Sequence, residues 1–214
     1  MLDFDGAVFD LDGTIADSHY VWKKVDSIFF GRRGLEIPKE YSKKIASMSF
    51  YEAAVFTKSE YGFKESLSEI TEEWYSIAVD EYSFNVRPKK FAREYIEYIK
   101  KEGVKVSLCT ASPNTLYEPF LRNNGMFSLF DSFVSGSEVK RGKEFPDIYL
   151  LAAKRLSVSP ERCVVFEDIL PAVKGAKSAG MRIFGVYDET SAEDTESIKA
   201  AADGFIYDFS EMIR

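Results

Sequence analysis

The chain has 214 residues, 45% hydrophobic and 15% aromatic, with a net charge of -7 and an isoelectric point near 5.0. That length and apolar content can bury a full core, in one domain or in a core with a smaller module. The acidic balance excludes the broad basic footprint of a nucleic-acid binder or of a protein held on anionic membranes, so an anionic substrate would need a local positive pocket.

No apolar run approaches the roughly 18 residues of a membrane span, and the first residues, with Asp3 and Asp5, lack the basic and apolar regions of a signal peptide. Cys109 and Cys163 lie far apart within apolar runs and read as buried, reduced thiols rather than a disulfide. The expectation is a cytoplasmic protein.

The first strand signal is Ala7 to Phe9, short and apolar, running into a turn rich in Asp, Gly and Thr. From Ser18 the pattern is helical, with Val21, Val25, Ile28 and Phe29 at helix spacing and a stop at Gly31 and Gly34. A second helix follows Pro38, and a third spans Phe50 to Tyr61 ahead of Gly62. Ser66 and Glu69 make a capping box before Ile70, Trp74, Ile77, Ala78 and Tyr82. Trp22 and Trp74 sit on helix faces with apolar neighbours and read as core.

After Pro88 the pattern changes. A helix with Phe91, Tyr95, Tyr98 and Ile99 ends at Gly103 and leads into a strand from Val104 to Leu108. A helix from Asn114 to Asn124, a strand at Phe133 and Val134, and a helix from Pro146 to Leu156 follow. Strand Val164 to Phe166, a helix ending at Gly180, strand Ile183 to Val186, helix Ala192 to Ala202 and a strand at Gly204 to Tyr207 complete the alternation. Such alternation predicts an α/β fold: a Rossmann-like, mostly parallel sheet in a three-layer α/β/α core, with ligands beyond the carboxyl ends of the strands. The all-helical stretch after the first strand is then an inserted α-helical cap.

In VFDLDGTIADS, Asp10 and Asp12 flank Leu11 where a strand becomes a Gly-Thr turn. One carboxylate can attack a phosphoryl group while the other protonates the leaving oxygen and later activates water. Two anions facing a phosphate need a cation, and hard oxygen ligands favour Mg²⁺. An ordinary acidic turn is the alternative. Asp3 and Asp5 repeat the spacing without a preceding strand and read as surface acids. Thr110, Ala111 and Ser112 precede Pro113 at a helix start, where they could hold phosphate oxygens or simply cap the helix. Lys143 stands before another helix, where it could neutralise a phosphate or be merely solvated. Glu167 and Asp168 end a buried strand, and buried carboxylates need a cation or donors, which makes Asp168 a candidate metal ligand.

In this order and on these elements, the four segments resemble the haloacid dehalogenase-like superfamily. The DxDGT motif matches Asp10 to Thr14, with the Asp17-Ser18 pair of its helical-cap branch; Thr110, Lys143 before Pro-Asp, and Glu167-Asp168 match the remaining motifs. The resemblance implies a catalytic core from residues 1–17 and 88–214 and a cap from 18–87, in the branch containing β-phosphoglucomutase and phosphoglycolate phosphatase. It implies Asp10 as nucleophile and Asp12 as general acid/base. Mg²⁺ would be held by the Asp10 side chain, the Asp12 carbonyl and Asp168, with Glu167 in support, and Thr110, the Ala111 backbone and Lys143 would grip the phosphoryl group. One departure stands out: relatives commonly read EDSxxG where this chain has Ile169 and Ala172.

The implied activity is hydrolysis of a small phosphorylated metabolite; a monomer is expected, since a two-module chain of this size can bury its core alone. A phosphosugar mutase is the nearest alternative, although the cap stretch Ala46 to Ala54 lacks the Arg that several sugar-phosphate relatives carry there. A dehalogenase is disfavoured by Asp12, and a phosphonatase would need a cap lysine for which Lys43 and Lys44 qualify only by position. A non-catalytic binding module is disfavoured by the intact motif residues. His19, at the hinge, either touches substrate or is packed; Phe50 and Tyr51 could roof a pocket; Lys140 and Arg141 could add positive potential or be plain loop charges.

Overall fold

The computed structural model describes residues 2–45, 48 and 50–213, with Lys43 described by its backbone alone. Ala46, Ser47, Ser49 and the Lys43 side chain, part of the expected specificity stretch, lie outside the described residues. The chain divides into two compact units, Met1–His19 with Val86–Arg214, and Tyr20–Asn85.

The first unit is built on a six-stranded, all-parallel sheet in the order β3-β2-β1-β4-β5-β6. The strands are β1 (Gly6–Phe9), β2 (Lys105–Thr110), β3 (Ser132–Ser135), β4 (Cys163–Glu167), β5 (Arg182–Val186) and β6 (Gly204–Ile206). β1 is central, flanked by β2 and β4, so its residues are buried on both faces; that is why it reads as an unbroken apolar run rather than an alternation. The register sets Phe9 beside Leu108 and Phe166, so the residues after β1, β2 and β4 emerge at one edge of the sheet.

One face packs Val8, Cys109, Val165 and Ile183 against Ile148, Ala152 and Val173 of helices α7 (Asp147–Leu156) and α8 (Leu170–Ser178). The other face is aromatic. Phe9 stacks on Phe166 at 4.7 Å, with Tyr95 of α5 (Ala92–Lys101) edge-on to both rings and Phe209 closing the cluster. Both cysteines are free and buried, and burial pushes the Cys163 thiol up to about 11. α6 (Asn114–Asn123) follows β2. The expected helix from Ala192 to Ala202 is shorter: Glu189–Asp194 is a 3₁₀ segment, because the Asp188 side chain caps Thr190 and tightens the turn, and only Thr195–Ala201 is α-helical (α9).

The second unit holds α1 (Val21–Arg32), α2 (Tyr41–Ile45), α3 (Phe50–Tyr61) and α4 (Leu67–Phe84), and no strand among the described residues. Ser66 caps α4 with the reciprocal Glu69 bond that the sequence predicts. Its core is a chain of edge-on aromatic contacts, Phe29 on Trp74 at 5.4 Å and Phe30 on Tyr41 at 4.9 Å, flanked by Arg33 over Phe29 at 3.6 Å. Trp74 is buried as expected, but Trp22 is 43% exposed, because the buried face of α1 runs through Val21, Val25 and Phe29 and leaves position 22 beside it. No described helix is long and apolar enough to cross a membrane.

Candidate active site

At the end of β1 the Asp10 amide donates to the Phe166 carbonyl of β4 at 3.1 Å, extending the sheet by one residue and fixing where the Asp10 side chain departs. The chain then closes on itself: the Ile15 and Ala16 amides both donate to the Leu11 carbonyl, at 3.0 and 2.8 Å. Gly13 closes this turn with φ +81°, a left-handed backbone that side chains strain to adopt. A Cβ there would stand 2.3 Å from both Asp168 Oδ2 and His19 Nε2, so glycine is required by contact as well as by conformation. The Asp12 carboxylate is held from two sides, with Ser18 Oγ donating to one oxygen at 2.6 Å and Ser112 Oγ to the other at 2.7 Å. Thr14 Oγ1 donates to Asp168 Oδ1 at 3.3 Å.

Beside that turn, Lys143 reaches in from the segment before α7 and pairs with Asp10 and, at 2.7 Å, with Glu167 Oε1. Glu167 Oε1 also accepts from Tyr149 Oη at 2.8 Å. Burial, then the neighbouring Glu167 charge, push the Asp10 carboxyl well above the usual range, while Lys143 pulls the other way. Burial likewise raises Glu167. For Lys143 burial favours the neutral amine, but Asp10 and Glu167 outweigh it and hold the ammonium protonated. The cluster is therefore short of positive charge: Asp10, Glu167 and Asp168 gather around one lysine.

The residues after β2 complete the arrangement. Thr110 is buried and its Oγ1 accepts the Ser112 amide at 2.9 Å, the bond that orders the turn into α6. Ala111 lies between them, and Gly136 beyond β3 packs against it, where a Cβ would be in ordinary contact at 3.5 Å from Ala111 Cα. Lys143 thus touches Asp10 and Glu167 directly, and Asp12 is tied to the Thr110–Ser112 turn through Ser112. His19 Nε2 lies 3.1 Å from Asp168 Oδ2 and 3.9 Å from Asp188 Oδ1; the bond to Asp168 raises the imidazole's basicity. Arg141 pairs with Asp147 at 2.6 Å, and Asp3 and Asp5 pair with Arg182 and Arg162 at the surface.

Two contributors escape the sequence: Tyr149 sits on the apolar face of α7 and reads as core, and Asp188 follows a strand with no motif around it. Ser112, read from the sequence as a phosphate-holding or capping residue, instead binds the Asp12 carboxylate 100 positions away. Only Ser18 carries a local signal, its place directly after Asp17.

The donor set suits a divalent cation. Carboxylate oxygens of Asp10, Glu167 and Asp168 lie within 4.8 Å of one another, and Glu167 Oε2 is fully buried without a hydrogen-bond partner among the described residues. An orphaned carboxylate oxygen in a net-negative pocket is costly, and a hard cation with oxygen ligands would relieve both the orphan and the excess charge. His19, Asp168 and Asp188 form a second such group sharing Asp168.

Comparison with known proteins agrees with this geometry. A "phosphorylated carbohydrates phosphatase" of Thermotoga maritima is 30% identical over 183 residues, covering 85% of each chain. A fructose-1-phosphate phosphatase of Escherichia coli is 28% identical over 182 residues, covering 83% of this chain and 94% of its own. Among solved structures, a Thermotoga maritima protein provisionally described as a β-phosphoglucomutase superposes with a TM-score of 0.83 at 27% identity, covering 94% of both chains. The haloacid dehalogenase-like hydrolase family matches residues 4–180, which include every residue of the cluster around Asp10, and the chain belongs to that family.

Proposed function

We propose that the chain is a Mg²⁺-dependent phosphatase of small phosphomonoesters, phosphorylated sugars among them, working through an aspartyl-phosphate on Asp10. The observation that carries this reading is the pair of carboxylates on one turn, with Asp10 paired to Lys143 and Asp12 held by two hydroxyls. The names of its relatives support the substrate class.

An Asp10 carboxylate oxygen attacks phosphorus and the P–O bond to the alcohol breaks, with the Asp12 carboxyl delivering its proton to the departing oxygen. In the second half Asp12 takes a proton from water, the water oxygen attacks phosphorus, and the acyl-phosphate bond breaks to free phosphate and Asp10. Lys143, the Thr110 hydroxyl and the Ala111 amide bind the phosphoryl oxygens, so most of the rate comes from positioning and fixed charge. Bound Mg²⁺, held by Asp10, the Asp12 carbonyl and Asp168 with Glu167 in support, would neutralise developing negative charge. The helical cap, residues 18–87 by the sequence and compact over Tyr20–Asn85, selects the alcohol in this reading.

Phosphate release from a panel of sugar phosphates and simple phosphomonoesters, with and without Mg²⁺, tests this. Turnover that needs metal and vanishes in Asp10→Asn supports it; metal-independent turnover, or turnover that survives the substitution, overturns it. The 27% identical Thermotoga structure favours a second reading, a phosphosugar mutase. Interconversion of sugar 1- and 6-phosphates without net phosphate release would select it.

A further inference from the structure

A concave pocket of about 570 Å³ opens on the first unit, between the start of α5 and the end of α6, with a volume in the range of small-molecule sites. In a chain of net charge -7 its lining is basic: Lys89, Lys90, Arg93 and Arg122 stand against the single acid Glu94. Lys89 is committed elsewhere, to Asp188 at 2.8 Å and the Tyr187 carbonyl at 3.0 Å. The other three are exposed, and each is held in place. Lys90 pairs with Asp208 at 2.7 Å, and Arg93 donates to Glu97 from Nε at 2.9 Å and to the Asn124 carbonyl from Nη1 at 3.3 Å. Arg122 Nη2 donates to Glu118 at 2.9 Å, and its guanidinium lies over the Phe127 ring at 3.8 Å. These bonds leave Arg93 Nη2 and Arg122 Nε and Nη1 without a partner among the described residues. Exposed ion pairs contribute little, so a ligand with several negative charges can take over the cations that they orient.

Phe91 lines the same pocket and is the odder feature. It stands at the N-cap of α5, where a polar side chain would bond the first turn, and makes no capping bond there. Its φ of 61° is left-handed, a backbone that bulky residues adopt only at a cost, and chains keep such strain mainly where function needs it. The ring is 41% exposed, and its one contact with a charge or another ring among the described residues is Lys90 Nζ at 5.6 Å. One pocket therefore combines two guanidinium forks and an ammonium, which suit phosphate oxygens, with an open aromatic face, which suits a base. Alternatives fit less well. A metal ion would find one carboxylate, Glu94, and an apolar ligand would strip water from three cations without pairing them. A single small anion would engage only part of the set.

We propose that this pocket binds a polyphosphate chain, that of a nucleoside triphosphate or of inorganic polyphosphate, with Lys90, Arg93 and Arg122 on its oxygens and Phe91 as the stacking face where the ligand carries a base. The site shares no residue with the cluster around Asp10 and does not rest on the phosphatase reading. The full chain would be titrated by calorimetry with ATP, with inorganic triphosphate and with adenosine. EDTA is kept present throughout, because without metal the carboxylates around Asp10 repel polyanions. Saturable binding of ATP and triphosphate that weakens as salt rises, and no binding of adenosine, are expected. Tighter binding of ATP, reduced to the level of triphosphate by Phe91→Ala, assigns a nucleotide; equal affinities assign inorganic polyphosphate. The double variant Arg93→Ala with Arg122→Ala, checked for folding by circular dichroism, should lower both affinities by about tenfold or more. It should leave phosphate release from a simple phosphomonoester unchanged. Adenosine that binds as tightly as ATP, unchanged affinities in the double variant, or no saturable heat with either polyanion overturns the proposal.

Discussion

Replacing Asp26 by Asn should stabilise the protein, and by an amount that depends on pH. Burial alone pushes the Asp26 carboxyl up to about 7. In the unfolded chain an aspartate titrates near 3.9, so the raised native value spans about three units, an upper bound of about 4 kcal/mol. Asp26 keeps 9% of its surface exposed, and screening by solvent lowers the expected figure to about 2 kcal/mol. The native state holds its proton to higher pH than the unfolded state, so stability falls as pH rises from about 4 to 7, and the full penalty is present above that. Asn has no charge to bury. Urea unfolding of native and variant proteins at pH 5, 6, 7 and 8 should therefore show a gap that widens to about pH 7 and then levels. A gap constant with pH, or a variant less stable at pH 8, would falsify the assignment of Asp26 as a buried acid whose charge costs stability.

Lys143→Met should lower kcat by about a thousandfold in phosphate-release assays. Without metal it should also cost about 3 kcal/mol in thermal unfolding, because it leaves Asp10 and Glu167 buried without their cation, a loss that added Mg²⁺ partly restores. Tyr149→Phe removes a donor from Glu167 Oε1 and should cost about 1–3 kcal/mol and weaken metal binding measured by calorimetry. Gly13→Ala, with its Cβ driven against Asp168 and His19, should destabilise by about 2 kcal/mol or more and abolish turnover. Ser112→Ala should lower kcat more than it raises KM, since the hydroxyl orients Asp12 rather than the substrate.

What was legible in the sequence followed short-range rules. Gly34, Gly62 and Gly103 stop helices, although Gly31, also expected to do so, lies inside α1; Ser66 with Glu69 starts one, and the apolar run before Asp10 marks a strand buried on both sides, and these signals act within a few residues. Asp10, Lys143 and Glu167 were visible because each stands at an element's end. Tyr149 and the bond from Ser112 to Asp12 were not, since these partners are fixed by sheet order and register, which pair positions far apart in the chain. The same limit explains Trp22: helical spacing says which residues share a face, but position 22 borders the apolar stripe, and only packing decides which way a border residue goes.

The departure at Ile169 and Ala172 finds its explanation three residues later. Ala172 is fully buried, and its carbonyl accepts a hydrogen bond from Tyr149 Oη at 3.2 Å, while Tyr149 also donates to Glu167. The position that tolerates no side chain is Gly175, where a Cβ would stand 1.9 Å from the Lys143 carbonyl oxygen. Helix α8 thus comes against the Lys143 segment at Gly175, and this contact sets how deeply the ammonium reaches toward Asp10. Pro171 in the first turn of α8 needs no amide partner there, so Ile169 can stand exposed at the N-cap of α8 without loosening the helix. The absolute need for glycine, set by backbone approach to the lysine segment, falls at 175 in this chain. Gly175→Ala should displace Lys143 and lower kcat while leaving Glu167 and Asp168 in place, whereas Ala172→Gly should cost only about 1 kcal/mol of helix stability.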